Sequence, residues 1–169
     1  MRQRTNVKMA QAFRLLRLDR RDFLIGTAAA ALTPGLTGSS AAADGPAPHS
    51  AEFERTLAGI LGGAVAKESG IEMDLPENVD NGDYVPVGLS VASPMSPDDH
   101  VKAIHLLSTA NPRAHVATFR FTLLSGKARI TSRMRLAKTQ EVVAIAELSD
   151  GTFLMATQAV DVKVGGCGI

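Results

Sequence analysis

Val142-Val143-Ala144-Ile145-Ala146-Glu147-Leu148, then Ser149-Asp150-Gly151, then Thr152-Phe153-Leu154 and on to Val164: this stretch sets the architecture. Two apolar, strand-forming runs flank Asp150-Gly151, a dipeptide that accepts the positive φ values of a tight hairpin turn. The pair therefore reads as two antiparallel strands joined by a short loop. Working back from it, Lys127, Arg129, Thr131, Arg133 and Arg135 alternate with Ala128, Ile130, Ser132, Met134 and Leu136. A period of two with cations on one side is a strand with one wet face.

Further back, Val116–Leu124 and Val101–Leu107 read as strands. Val85, Val87, Leu89 and Val91 alternate with Pro86, Gly88 and Ser90, and Ile71, Met73 and Leu75 alternate with Glu72 and Asp74. Pro86 lacks an N–H to give to a ladder, so it calls for an edge or a bulge. Asn81-Gly82, Ser93-Pro94, Ser96-Pro97, Asn111-Pro112 and Ser125-Gly126 mark the turns. About seven short strands without a second helical layer predict an all-β antiparallel β-sandwich over residues 70–164. Before it, 44–69 divides into a linker, 44–50, and a short amphipathic helix expected over 51–67. There Phe53, Leu57, Ile60, Leu61 and Ala64 recur at helical spacing, and Gly59, Gly62 and Gly63 weaken the end.

Residues 1–43 read as a cleaved export signal. A basic start (Arg2, Arg4, Lys8, Arg14, Arg17) leads to Arg20-Arg21 with Phe23-Leu24 behind them, which resembles a twin-arginine signal. The apolar run Phe23–Leu32 falls short of the ~20 residues of a membrane span, so no membrane anchor is expected. Ser39-Ser40-Ala41-Ala42-Ala43 suits a signal-peptidase site, which puts the mature start near Asp44 and the protein in the periplasm. The leader holds 7 of the 18 Lys and Arg and 2 of the 17 Asp and Glu. The remaining 126 residues carry 11 basic and 15 acidic groups, a net charge of −4, so the chain offers no basic face for nucleic acid.

The chain has one cysteine, Cys167, in Val164-Gly165-Gly166-Cys167-Gly168-Ile169. It cannot close a disulfide within its own chain, and an odd thiol in an exported protein points to intermolecular pairing or reactivity. A catalytic cysteine needs a base and an oxyanion site in fixed geometry. A metal site needs more than one thiolate with the scattered His49, His100, His105 and His115. Only two residues follow Cys167, so prenylation is excluded. Two readings remain on the residues alone: a thiol presented on a flexible arm to other proteins' active sites, and an incidental cysteine on a frayed tail. Gly165, Gly166 and Gly168 favour the first. They strip bulk from the backbone on both sides of the thiol and leave it free to bend into a narrow channel. An extended 165–169 arm would span about 15–18 Å. Lys163 is the nearest cation in sequence and the terminal carboxylate is close, so the thiol is expected to be activated only inside a partner's site.

Gly165-Gly166-Cys167-Gly168 behind an exported β-domain resembles the SoxY family, the sulfur-carrier subunits of the periplasmic thiosulfate-oxidising (Sox) system. Pro86-Val87, Ser93-Pro94-Met95, Asp98-Asp99-His100-Val101-Lys102-Ala103-Ile104 and Asn111-Pro112-Arg113 share the resemblance. So do Val116-Ala117-Thr118-Phe119, Ser125-Gly126-Lys127-Ala128, Ser132-Arg133-Met134-Arg135-Leu136, Val142-Val143-Ala144 and Ser149-Asp150-Gly151-Thr152-Phe153. The resemblance implies an immunoglobulin-like sandwich paired with a SoxZ-like subunit, with Cys167 as the point of substrate attachment. It implies that a haem c-containing SoxAX-like enzyme joins thiosulfate to the thiol and that a SoxB-like hydrolase releases sulfate. In some organisms a sulfane dehydrogenase acts between rounds. The chain itself would be non-catalytic and would hold no cofactor. Ile169 departs from the family's usual Gly-Gly-Cys-Gly-Gly ending, and a β-branched end takes more room. The alternative is a thiol-disulfide redox protein or a regulatory binding subunit that pairs through Cys167.

Three further features read as structure. Asp98-Asp99 is expected to cap a turn between Pro97 and Val101, and Met73, Met95, Met134 and Met155 are packing residues. The Lys127/Arg129/Arg133/Arg135 stripe is a solvated strand face, with an anionic group or an acidic partner surface as its functional alternative.

Overall fold

The computed structural model describes residues 48–166. In chain order, α1 (Ala51–Leu61) is followed by β1 (Ile71–Asp74), β2 (Asn78–Asn81), β3 (Val85–Val91) and β4 (Val101–Ser108). Then come β5 (His115–Arg120), a 3-10 turn at Leu123–Ser125, β6 (Ala128–Met134), β7 (Gln140–Leu148) and β8 (Phe153–Val164). A three-stranded sheet, β1-β3-β6, faces a five-stranded sheet, β2-β8-β7-β4-β5. This is an all-β sandwich of the immunoglobulin-like kind.

The core between the sheets is built from alternate residues. Val85, Val87, Leu89 and Val91 of β3 meet Ile104, Leu106, Val142, Ala144, Val160 and Val162 of the other sheet. Strands β4 and β7 read as near-continuous apolar runs because both their faces are covered. Leu107, Val143 and Ile145 point away from the sandwich into a second cluster, beneath Phe53 of α1. Phe53, Leu57, Ile60 and Leu61 thus use the helical period to bury one side on the outer face of the large sheet. Ser50 caps the helix by accepting from the Phe53 N–H at 3.1 Å. The four methionines pack as expected, Met95 and Met134 in the main core, Met73 against it and Met155 under the helix.

Four local expectations are corrected. The helix stops at Leu61 instead of reaching 67, because Gly62 takes the left-handed conformation (φ 57°) and closes the last turn. Lys67 bridges to β8 instead, donating to the Phe153 carbonyl and accepting from the Met155 N–H. The strand expected over 116–124 ends at Arg120, and the chain then turns at Thr122 and Ser125, which cap one another. An eighth strand, β2, lies parallel to β8 with Asn78 opposite Asp161, so the sandwich is not wholly antiparallel. At Asp98-Asp99 both side chains are exposed. The turn is closed by Ser96, which accepts from the Asp99 N–H, and by Ser149, which donates to the Asp98 carbonyl.

Pro86 follows its rule in a local way. Strand β3 is central in its sheet, but the β1 ladder stops at the Asp74–Gly88 pair, so Pro86 has a neighbour only on the β6 side, opposite Arg133.

Candidate functional site

Cys167, Gly168, Ile169 and the Arg20-Arg21 pair lie outside the described residues; Gly165 and Gly166 lie within them. Strand β8 ends at Val164, and three backbone hydrogen bonds then tie the chain down. The Gly82 N–H donates to the Val164 carbonyl, the Leu136 N–H to the Gly82 carbonyl and the Gly166 N–H to the Leu136 carbonyl, each at 2.8 Å. Three segments far apart in sequence therefore close on one another, and Gly82, Leu136 and Gly166 are all buried.

This clasp gives its glycines a task besides the one expected. None of Gly82, Gly165 or Gly166 has a positive φ, so none needs glycine for a left-handed backbone. What excludes a side chain is space. A Cβ on Gly82 would strike the Leu136 carbonyl oxygen, and one on Gly165 would strike the Ala137 carbonyl oxygen. On Gly166 it would lie 2.7 Å from the Gly82 carbonyl oxygen and 2.9 Å from the Asp83 nitrogen. At the root of the arm expected over 165–169, Gly165 is exposed but lies against the Ala137 carbonyl, and Gly166 is buried and bonded to Leu136.

The Leu136 side of the clasp rests on a polar network that the sequence reading did not find. Asn111 donates from Nδ2 to the Arg135 carbonyl, and its Oδ1 accepts from the Ala137 N–H at 2.9 Å and from Gln140 Nε2 at 2.7 Å. Gln140 is fully buried and also donates to the Lys138 carbonyl, while its Oε1 accepts from the Ala110 N–H. Every polar atom of that amide is thus used, which is what keeps its burial cheap. Asn111-Pro112 was legible as a turn, but its reach to Gln140 across the β6–β7 loop was not. Thr139 anchors the other side of the loop, donating to Asp161 Oδ1 at 2.7 Å and accepting from the Val162 N–H at 2.9 Å.

Around the clasp the surface is charged and partly aromatic. The Arg133 guanidinium carbon sits 4.4 Å from the Tyr84 ring centroid, and Tyr84 is 64% exposed. Lys163 and Asp80 pair at 2.8 Å; the pairing lowers the Asp80 pKa and raises that of Lys163, through the hydrogen bond first and charge second. The histidines go to separate duties. His49 lies between Glu54 and Glu141, His100 bonds the Ser96 carbonyl, and His105 and His115 share the Thr118 hydroxyl. Among the described residues no three His, Cys, Asp or Glu side chains converge as a metal site, and no helix is long and apolar enough to cross a membrane.

A sandwich of this topology defines the class: an immunoglobulin-like β-sandwich domain. The family model for sulfur oxidation protein SoxY matches residues 57–167, and the chain belongs to that family. The structure is similar to that of the sulfur carrier protein SoxY from Chlorobium limicola f. thiosulfatophilum. The identity is 28%, the TM-score 0.56, and the match covers 67% of this chain and 97% of that one. A superoxide reductase (neelaredoxin) from Ignicoccus hospitalis shares the fold at 18% identity and a TM-score of 0.51, over 56% of this chain and 80% of that one. No curated protein matches the chain.

Proposed function

We propose that the chain is a covalent carrier of thiosulfate-derived sulfur intermediates, attached at Cys167 and presented to partner enzymes in the periplasm. The observation that carries this reading is the family match, which runs to residue 167 and so takes in the cysteine. Loading forms a bond between the Cys167 sulfur and the outer sulfur of thiosulfate. The thiol proton is released and two electrons pass to a SoxAX-like haem c enzyme, leaving Cys–S–S–sulfonate. A SoxB-like hydrolase then adds water across the sulfur–sulfonate bond, releasing sulfate and protons and leaving a persulfide on the arm. Where a sulfane dehydrogenase is present, it oxidises the remaining sulfur to a sulfonate with oxygen from water, and a second hydrolysis regenerates the thiol. None of these steps needs an acid, base or metal from this chain. Its own work is to hold the thiol at a defined exit point. A SoxZ-like subunit completes the carrier, and the Arg20-Arg21 leader exports it by the twin-arginine route.

Intact-mass measurement after incubation with thiosulfate and the SoxAX-like enzyme is expected to show one thiosulfonate on the wild-type chain and none on Cys167→Ala. An unmodified wild-type chain, or an equal adduct on the variant, overturns the reading. A mixed disulfide to an electron-transfer protein in place of sulfur intermediates would assign a redox role instead.

A further inference from the structure

We infer that the exposed surface beside the clasp, formed by Tyr84, Arg133, Arg135 and Lys138, is the docking rim for the enzymes that act on the arm, and that it fits partners whose active-site mouths are acidic. The inference rests on the carrier reading and adds a surface and a partner chemistry to it.

The first ground is reach. With Gly166 buried and bonded to Leu136, Cys167 begins one residue step from a fixed point, about 3.8 Å. Its sulfur lies only a two-bond side chain further. A partner that works on that sulfur must bring its own surface against the carrier around the exit. The residues that ring the exit then become contact residues, whereas an arm free from Gly165 onward would have let a partner stand off.

The second ground is charge. The cationic stripe on β6 divides into two unequal halves. Arg129 stands opposite Ser90, and Ser90 opposite Glu72; Thr131 stands opposite Gly88, and Gly88 opposite Asp74. Glu72, Asp74, Gly88, Ser90, Arg129 and Thr131 line one shallow hollow, so carboxylates answer this half. Arg133 stands opposite Pro86, beyond the last residue of β1, where the sheet supplies no acid. By strand spacing Asp74 is about 12 Å away, longer than the ~8 Å screening length at physiological salt. Of the acids nearer the clasp, Asp80 pairs with Lys163, Asp161 accepts from the Thr139 hydroxyl and directs its charge at Lys163, and the half-buried Asp83 has a partner of its own. Among the described residues no ion pair includes Arg133, Arg135 or Lys138. A chain with a net charge of −4 beyond its leader thus keeps three exposed cations outside any ion pair among the described residues.

The third ground is residue type. Edge strands carry cations to discourage aggregation, and β6 is an edge. That duty does not explain an exposed tyrosine held flat under an arginine. Tyr and Arg are the side chains that dominate binding energy in interfaces, and the stack fixes both before a partner arrives. Val164, 63% exposed, adds an apolar contact next to the exit.

The test uses the full chain with its SoxZ-like subunit, loaded by tetrathionate. The Cys167 thiolate attacks a sulfane sulfur and expels thiosulfate, leaving Cys–S–S–sulfonate without an oxidant. Loading is done at about pH 8.5, where an ordinary thiol is half ionised, and intact mass is read first; a wild-type chain that takes no adduct there overturns the carrier reading itself. Hydrolysis of the loaded carrier by the host's SoxB-like enzyme is then followed against carrier concentration and salt. R133E/R135E is expected to raise the KM for carrier roughly tenfold with kcat within about twofold, and to flatten the salt dependence. Tyr84→Ala should raise KM several-fold, and Arg129→Glu on the answered half should change it less than about twofold. Equal loss in Arg129→Glu and R133E/R135E, an unchanged KM in R133E/R135E, or a fall in kcat alone overturns the docking rim. Unfolding midpoints are measured on each variant so that a misfolded chain is not scored, and a milder Arg135→Gln then carries the same comparison.

Discussion

The two ends of the described chain are fastened in opposite ways. At the N-terminal end α1 is held mainly by side chains, beside one backbone bond from the Ser50 N–H to the Thr109 carbonyl: Phe53 is sunk in the second core cluster, and His49 bonds Glu141 at 2.9 Å and Glu54 at 3.1 Å. At the C-terminal end, Val164 and Gly166 are held by backbone hydrogen bonds, through Gly82 and Leu136. Each end has a glycine pair, and the pairs mean different things. Gly62 and Gly63 have φ of 57° and 91° with no atom within 4 Å of a would-be Cβ; there glycine supplies conformation. Gly165 and Gly166 have ordinary φ and no room; there glycine supplies closeness. One residue type thus loosens the chain at one end and locks it at the other.

The sharpest way to break this contrast is Gly82→Ala. One methyl group would press on the Leu136 carbonyl oxygen and come within 2.8 Å of the Gly166 nitrogen. Backbone atoms cannot swing aside as a side chain can, so the clasp must open or the sandwich must shift. Chemical denaturation should show a loss of about 2–3 kcal/mol, the scale of an overpacked core. Hydrogen exchange should show the Gly166 amide unprotected, with Cys167 reacting faster with a thiol reagent. A neutral Gly82→Ala would mean that the clasp is not closed in solution, and the short reach assigned to the thiol would go with it.

At the helical end the same substitution should divide by position. Gly62→Ala forces an alanine into the left-handed region, at about 1 kcal/mol. Gly59→Ala fills open space inside α1, where φ is helical, and should add roughly 0.5–1 kcal/mol. Opposite signs three residues apart, read by thermal and urea unfolding, would establish that conformation and not packing governs this end. Equal losses at both positions would sink that view.

These roles were unevenly legible in the sequence. Strands β4, β7 and β8 announced themselves because a run such as Val142–Ala146 can only be buried, and the wet face of β6 because its alternation is strict. Strand β2 did not, because Asn78-Val79-Asp80-Asn81 holds a single apolar residue and is a strand only by pairing with β8. Cys167 stood out as the sole thiol, and its use as an attachment point is what the family resemblance implies. The glycines before it read in sequence as freedom, since sequence cannot reveal that Gly82 and Leu136 arrive from distant turns to meet them. Closeness is a property of the tertiary structure, and glycine in a sequence does not declare which of its two uses applies.

The smallest expected effect separates the two fastenings by pH. The Glu141 hydrogen bond, the larger cause, and the Glu54 bond and charges raise the His49 pKa above 6.5 despite partial desolvation. A histidine raised in the folded state contributes stability that is fully present below its unfolded pKa and is lost as pH rises through the folded value. The His49 side chain is 42% exposed, so solvent screening keeps the contribution small, a few tenths of a kcal/mol. His105 runs the other way. Burial, its main cause, lowers its pKa, so its contribution fades as pH falls through the unfolded value near 6.5. The two partly cancel in global stability, and the informative quantity is the difference between wild type and His49→Ala across pH 6 to 8. That difference should shrink as pH rises, and α1 amides should exchange faster at the high end after correction for intrinsic rates. The Gly166 amide, fastened without any titrating group, should show no such trend. A Gly166 amide that loosens in step with α1 would mean the two ends open as one unit, and the contrast between side-chain and backbone fastening would fail.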